Sequence, residues 1–140
     1  MIFIEGNVPS SKNSKVKTSR GIFHSPTVKK YLSKIGIMKY SAGRKEVIFY
    51  KTKPCSFPYE ELSNNLKDKE YPIKIGFHFV RGTKHKFDFH NTVQIIADLM
   101  VAFDVIEDDN MDCLIPVPFK IDGKYYSYNK EKPGVYIKIY

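Results

Sequence analysis

The chain has 140 residues, with 23 Lys and Arg against 15 Asp and Glu, a formal net charge of +8, and 42% hydrophobic residues. That length and apolar content suffice to bury roughly two-thirds of the unfolded surface in one core, which excludes a disordered chain and leaves no room for a second full domain. No apolar run approaches the ~20 residues of a membrane span, and residues 1–5 (MIFIE) meet an acid too early for a signal peptide, so a cytoplasmic protein with no membrane partner is expected. Cys55 and Cys113 lie far apart without Cys/His ligand spacing and read as packing residues.

In chain order, residues 1–6 predict a short first strand, closed by the turn-rich residues 7–14. Residues 14–20 alternate Ser/Thr with Lys/Arg and have little to bury. They are expected to form an exposed, mobile basic loop in which Lys12, Asn13, Lys15, Lys17 and Arg20 meet phosphate, the alternative being a merely solvated loop. Ser25-Pro26 has the form of an N-cap and first helical proline, and Val28, Tyr31, Leu32 and Ile35 recur at helical spacing before Gly36. Residues 40–70 are expected to be a loop-rich insertion, with strand-like composition at 46–50 and turn residues Pro54, Pro58 and Asn64-Asn65. Residues 71–80 alternate, with Ile73, Ile75, Phe77 and Phe79 on one face and Lys74, Gly76 and His78 on the other, as for a half-buried strand.

After Arg81, Lys84 and Lys86, a helix is predicted over 92–103 with Asn91 as its N-cap. Ile96, Leu99, Met100 and Phe103 share an apolar sector, whereas Asn91, Gln94 and Asp98 fall within about 60° of one another on another side. An apolar stretch at 114–119, a hairpin at Asp122-Gly123 and a last strand at 134–140 complete an α+β chain with a small sheet and about two helices.

The charge is polarised along the chain. Residues 1–53 hold 12 Lys/Arg and two acids, whereas residues 88–112 hold seven acids and no Lys or Arg. Basic surface attracts phosphate backbones, and a carboxylate cluster would repel them unless divalent cations sat between. Together they suggest metal-dependent chemistry on nucleic acid, against the alternative of a solvated acidic loop. Asp88 before the helix and Asp108-Asp109 after it can be folded back together, and hard oxygen donors of this kind suit Mg²⁺ or Mn²⁺.

The order Pro9-x-Ser11-x-Asn13, Ser25 before the first helix, Phe87-Asp88-x-His90-Asn91, Asp98-Leu99, Ile106-x-Asp108-Asp109 and Pro133-Gly134-Val135-x-Ile137 resembles the RusA-type Holliday junction resolvases over most of the chain. The resemblance implies a RusA-like homodimer with a small mixed sheet. It also implies a basic surface for a four-way DNA junction, and Mg²⁺-dependent cleavage of opposed strands with no small-molecule cofactor. By resemblance, Asp88 is the first aspartate of the motif, Asn91 its asparagine, Asp98 the helix aspartate and Asp109 the second of the paired acids. Two positions depart from the family: His90 stands in place of a second metal-binding aspartate, and Gln94 in place of an active-site lysine. Imidazole suits Mn²⁺, Zn²⁺ or Co²⁺ better than Mg²⁺, so Mn²⁺ is expected to serve at least as well; glutamine can orient water but cannot neutralise a phosphate.

The expected catalytic and metal set is therefore Asp88, His90 and Asp109 with Asp108, supported by Asn91, Gln94 and Asp98; Arg81, Lys84 and Lys86 join the loop as DNA contacts. Each has an alternative. Asp88 can be a helix-cap carboxylate, Asp108 and Asp109 a solvated turn, and His90 a hydrogen-bonded residue at a helix start; His24, His78 and His85 have weaker cases. Phe23 is a junction wedge or a core residue, and the ten tyrosines and ten phenylalanines are expected mostly to build the core. Three functions are consistent with these readings: a metal-dependent structure-selective endonuclease, a catalytically weakened relative that binds branched DNA, and a basic nucleic-acid-binding module without a metal site.

Overall fold

The longest strand carries the most apolar alternation in the chain, IKIGFHFVR, and the molecule is assembled around it. A computed structural model describes the backbone of residues 1–10, 15–18, 21–24, 26–42, 46–51 and 55–140, and the side chains of residues 1–10, 27–36 and 55–140. The elements are β1 (Ile2–Glu5), β2 (Lys15–Thr18), β3 (Gly21–His24), α1 (Pro26–Lys34), β4 (Ile37–Ala42), β5 (Glu46–Lys51), α2 (Tyr59–Leu66), β6 (Ile73–Arg81), α3 (Phe89–Ala102), β7 (Leu114–Pro118), β8 (Tyr126–Tyr128) and β9 (Gly134–Ile139). The architecture is a small α+β domain whose mixed sheet has the order β1-β9-β6-β7. β9 runs antiparallel to both β1 and β6. Along the other edge of β6, β7 pairs in parallel with its first half and β8 with its end.

Burial of β6 extends to both faces, with Lys74 its one exposed residue, so the expected half-buried strand is instead a central one. Ile73, Ile75, Phe77 and Phe79 enter the core with Ile96, Leu99 and Met100 of α3. On the other face, a Cβ added at Gly76 would come within 2.8 Å of the Phe119 ring. Beside it, buried His78 bonds the Phe119 carbonyl through Nδ1 (3.0 Å) and Ser127 Oγ through Nε2 (2.6 Å). A carbonyl can only accept, so Nδ1 carries the proton and the Ser127 hydroxyl donates to Nε2. The alternation predicted one covered face; Phe119 and the strands flanking β6 supply the second cover.

Helices number three among the described residues, one more than expected. The extra one, α2, lies in the segment anticipated as a loop-rich insertion, where β5 (46–51), close to the strand-like composition read at 46–50, also pairs antiparallel with β4 (37–42). It buries Leu62 and Leu66, while Tyr59 stacks on Phe103 beyond the end of α3 at 5.5 Å. Residues 15–18 pair with 21–24 as an antiparallel hairpin, which corrects the irregular basic loop expected there: Val16 and Ile22 leave enough strand-forming composition to close a ladder. Val28, Tyr31 and Leu32 of α1 and Ile35 just past its end are buried at the anticipated spacing; Ser25, its expected cap, lies outside the described residues. The turn at Asp122-Gly123 forms as expected, both residues having positive φ (51° and 78°) and Ile121 bridging Lys124, a pattern suited to a two-residue hairpin. Cys55 and Cys113 are free, the first packed against the core and the second buried. Among the described residues no helix is long and apolar enough to cross a membrane.

Candidate functional site

The site is set by how α3 begins and by how the chain returns along it. In Phe87-Asp88-Phe89, the two phenylalanines pack edge-on against Phe79 of β6, with centroids 6.2 and 5.9 Å away. Asp88 between them stays at the half-exposed rim. Its backbone is extended (φ −105°, ψ 116°) and its Oδ1 accepts from His90 N at 3.0 Å, so Asp88 is the N-cap of α3. The expected cap, Asn91, is inside the helix. Its amide instead donates to the Ser10 carbonyl at 3.3 Å, tethering the segment that enters the basic hairpin to the head of α3. His90 is exposed in the first turn.

The polar ridge anticipated from helical spacing forms. Gln94 Nε2 donates to Asp98 Oδ1 one turn on and to Asp109 Oδ2, each at 2.7 Å. Asp109 arrives because the chain reverses at Asp104 (φ 57°) and folds back, with Val105 N and Ile106 N bonded to the Met100 carbonyl. From Met100 to Gln94 is about 9 Å of helix rise, within reach of the three residues that separate Ile106 from Asp109. One amide nitrogen thus spends both its hydrogens on two carboxylates, whose bonded oxygens stand at most twice 2.7 Å apart. Asp108 does something else: its Oδ1 accepts from Asp109 N at 2.7 Å and its Oδ2 from Asn110 Nδ2 at 3.0 Å, a local turn that fixes the direction of Asp109. Asp88 opens the same helix about 9 Å of rise before Gln94. Among the described residues no three His, Cys, Asp or Glu side chains form a group that could hold a metal ion.

Of the basic residues expected to meet DNA, Arg81, Lys84 and Lys86 line a pocket of about 510 Å³ beside Phe87, immediately before Asp88. Lys84 and Lys86 are exposed, while Arg81 is buried and its guanidinium lies 4.8 Å from the centre of the Phe87 ring. Lys12, Asn13 and Arg20 fall outside the described residues, as do the side chains of Lys15, Lys17 and Phe23. Sequence reasoning missed Tyr126 and Tyr128, which complete the pocket wall; the tyrosines at 125, 126 and 128 are exposed and do not build the core. Their alternation in Tyr126-Ser127-Tyr128 was the available signal. Comparison with protein-family models, curated proteins and solved structures finds no match.

Proposed function

We propose that the protein is a metal-dependent structure-selective endodeoxyribonuclease of the RusA type, a cytoplasmic homodimer that hydrolyses phosphodiester bonds in Holliday junctions or other branched DNA. The observation that carries the reading is the return of Asp109 to the helix that Asp88 caps, with Asp98 and Asp109 gathered on Gln94, while Arg81, Lys84 and Lys86 line a pocket just before Asp88 at the head of that helix. Phosphodiester chemistry needs both kinds of group: carboxylates to seat a divalent ion, and positive charge to hold the strand.

Asp98 and Asp109 offer hard carboxylate oxygens a short distance apart on one exposed ridge, the donor type that suits Mg²⁺ or Mn²⁺. Asp98 and Asp109 would hold it where they meet at Gln94, with Asp108 bonding the Asp109 backbone; the resemblance alone would add His90 and Asp88, the latter about 9 Å of helix rise from Gln94 and in no three-residue metal-holding group among the described residues. When bound, the ion lowers the pKa of a water and neutralises charge on the phosphate. Gln94 keeps the two carboxylates from separating and can orient water. Asn91 fixes the loop start at Ser10, and Lys84 and Lys86 draw the strand in. A second reading, a branched-DNA-binding protein with weakened catalysis, draws on the same contact: Gln94 engages both Asp98 and Asp109 and brings no positive charge.

A labelled four-way junction and linear duplex, each incubated with Mg²⁺, Mn²⁺ or EDTA, test the two readings. Paired, cation-dependent nicks in the junction are expected, with Mn²⁺ at least matching Mg²⁺, and with a loss of at least about a hundredfold in Asp88→Asn and in Asp109→Asn, the order seen when a transition-state charge partner is removed. Junction-selective gel shifts without nicks would establish the second reading. Equal, salt-sensitive binding to junction and duplex would leave only a basic binding module.

A further inference from the structure

The pocket before α3 has a wall that cleavage chemistry does not require. β8 runs parallel to the end of β6 in a register that sets Tyr126 beside Phe79 and Tyr128 beside Arg81. Residues two apart on a strand share a face, and in-register neighbours on adjacent strands point the same way. Ser127 is committed to His78 on one face, so Tyr126 and Tyr128 stand on the other, with Phe79, Arg81 and the start of α3. Each tyrosine is about half exposed (55% and 46%). Tyr126 is held upright by an edge contact to Phe87 at 5.1 Å, and the Lys84 ammonium stands 5.3 Å over the Tyr128 ring. Such rings are placed for use rather than for packing: folding has left them half in water at the mouth of a cavity.

Arg81 adds a second, independent indication. It is 6% exposed, and among the described residues its guanidinium bonds only neutral oxygens, the Val8 carbonyl and Ser10 Oγ, while its Nε has no partner. A buried cation without an anion is costly to keep, and its burial lowers the Arg81 pKa. An anionic ligand in the pocket would relieve that cost. A flat ring for the tyrosines and a negative charge for Arg81, Lys84 and Lys86 together describe a nucleotide.

We infer that this pocket binds an unpaired nucleotide of a DNA strand, its base stacked on Tyr126 and Tyr128 and its phosphates held by Lys84 and Lys86 with Arg81 behind them. Stacking accepts any base, so the site reads the absence of pairing rather than sequence. A duplex, whose bases are stacked on one another, offers the pocket only phosphates. The inference rests on nucleic acid being the ligand of the basic surface and is independent of cleavage.

Binding in EDTA tests it. A fluorescein-labelled oligothymidylate of about ten nucleotides, a blunt duplex and thymidine monophosphate are titrated with the intact protein, and a 2-aminopurine strand reports stacking by loss of emission. Tyr126→Ala and Tyr128→Ala are expected to weaken single-strand binding roughly five- to a hundredfold each, to leave duplex binding within about twofold, and to restore 2-aminopurine emission. The Phe variants at both positions, which keep the ring, are expected to bind like the parent. Unchanged single-strand affinity in both Ala variants, equal losses for duplex, or a mononucleotide that binds as tightly as the strand would each overturn the assignment. Tyrosine-dependent strand binding without junction cleavage leaves this inference standing and removes the nuclease; cleavage with tyrosine-independent binding does the reverse.

Discussion

Tyr31 carries a hydroxyl into the core under β1, where its ring lies 3.1 Å from where a Gly6 Cβ would be, and the hydroxyl has no hydrogen-bond partner among the described residues. An unsatisfied buried hydroxyl costs about 1–3 kcal/mol, so Tyr31→Phe is expected to raise stability by about 1 kcal/mol in urea denaturation at neutral pH. Burial also pushes the Tyr31 pKa above its usual value. The unfolded chain therefore releases this proton near pH 10 while the folded chain keeps it. Stability from this residue is intact below pH 10 and falls above it, by about 1.4 kcal/mol per pH unit. The Phe variant lacks that component, and parallel losses in both proteins between pH 9 and 11 would show that Tyr31 is not its source. Single residues of the candidate site differ in how far the sequence announces them. Gln94 and Asp98 are one helical turn apart, and their bond follows from that spacing alone. Asp109 is fifteen positions from Gln94, and their contact needs the reversal at Asp104, which helical periodicity does not encode.

Among the elements, β9 is the seam of the sheet, bonded to β1 on one side and β6 on the other, and its first residue has no room for a side chain. A Cβ at Gly134 would stand 2.4 Å from both the Ile4 carbonyl oxygen and Phe3 Cζ. Backbone cannot yield there without opening the β1 ladder. Gly134→Ala is expected to lower stability by about 3 kcal/mol, the upper range for an overpacked site, measured as a lower urea midpoint; a change below about 0.5 kcal/mol would mean that the strands can slide apart. β1, β6, β9 and α3 were legible because their apolar residues recur at periods that match the fold. α2 was not: it is eight residues long, follows Pro58, includes Asn64-Asn65 and buries only Leu62 and Leu66, so its stability comes from docking beside Phe103 rather than from helical propensity. The basic hairpin β2–β3 was missed because alternation of Lys with Ser and Thr resembles solvated chain, and pairing with 21–24 decides it.

At the scale of the molecule, positive charge is concentrated in the first 53 residues and acidic residues follow Phe87. Ser10 joins them, accepting from Asn91 of α3 through its carbonyl and bonding Arg81 through its hydroxyl, just before the basic hairpin departs. DNA affinity is accordingly expected to fall steeply with salt. The double variant Lys84→Gln/Lys86→Gln should reduce the slope of log K against log salt by about 2, close to one unit for each phosphate that is no longer neutralised. An unchanged slope in a fluorescence titration would place the phosphate-binding residues elsewhere. The sequence by itself determined the α+β class, the existence of the 73–81 strand but not its central place, the two longer helices, the Asp122-Gly123 turn and the ridge of Asn91, Gln94 and Asp98, since each depends mainly on patterns within about a dozen residues. The structure chose among the alternatives the sequence offered for Asp88 and Asp108, a helix cap and a local turn, and it alone decided that Asp109 returns to Gln94 and that Tyr126 and Tyr128 face a cationic pocket. The last two join segments far apart in the chain, and they are fixed by loop closure and by which side of a strand is already occupied, neither of which leaves a period in the sequence.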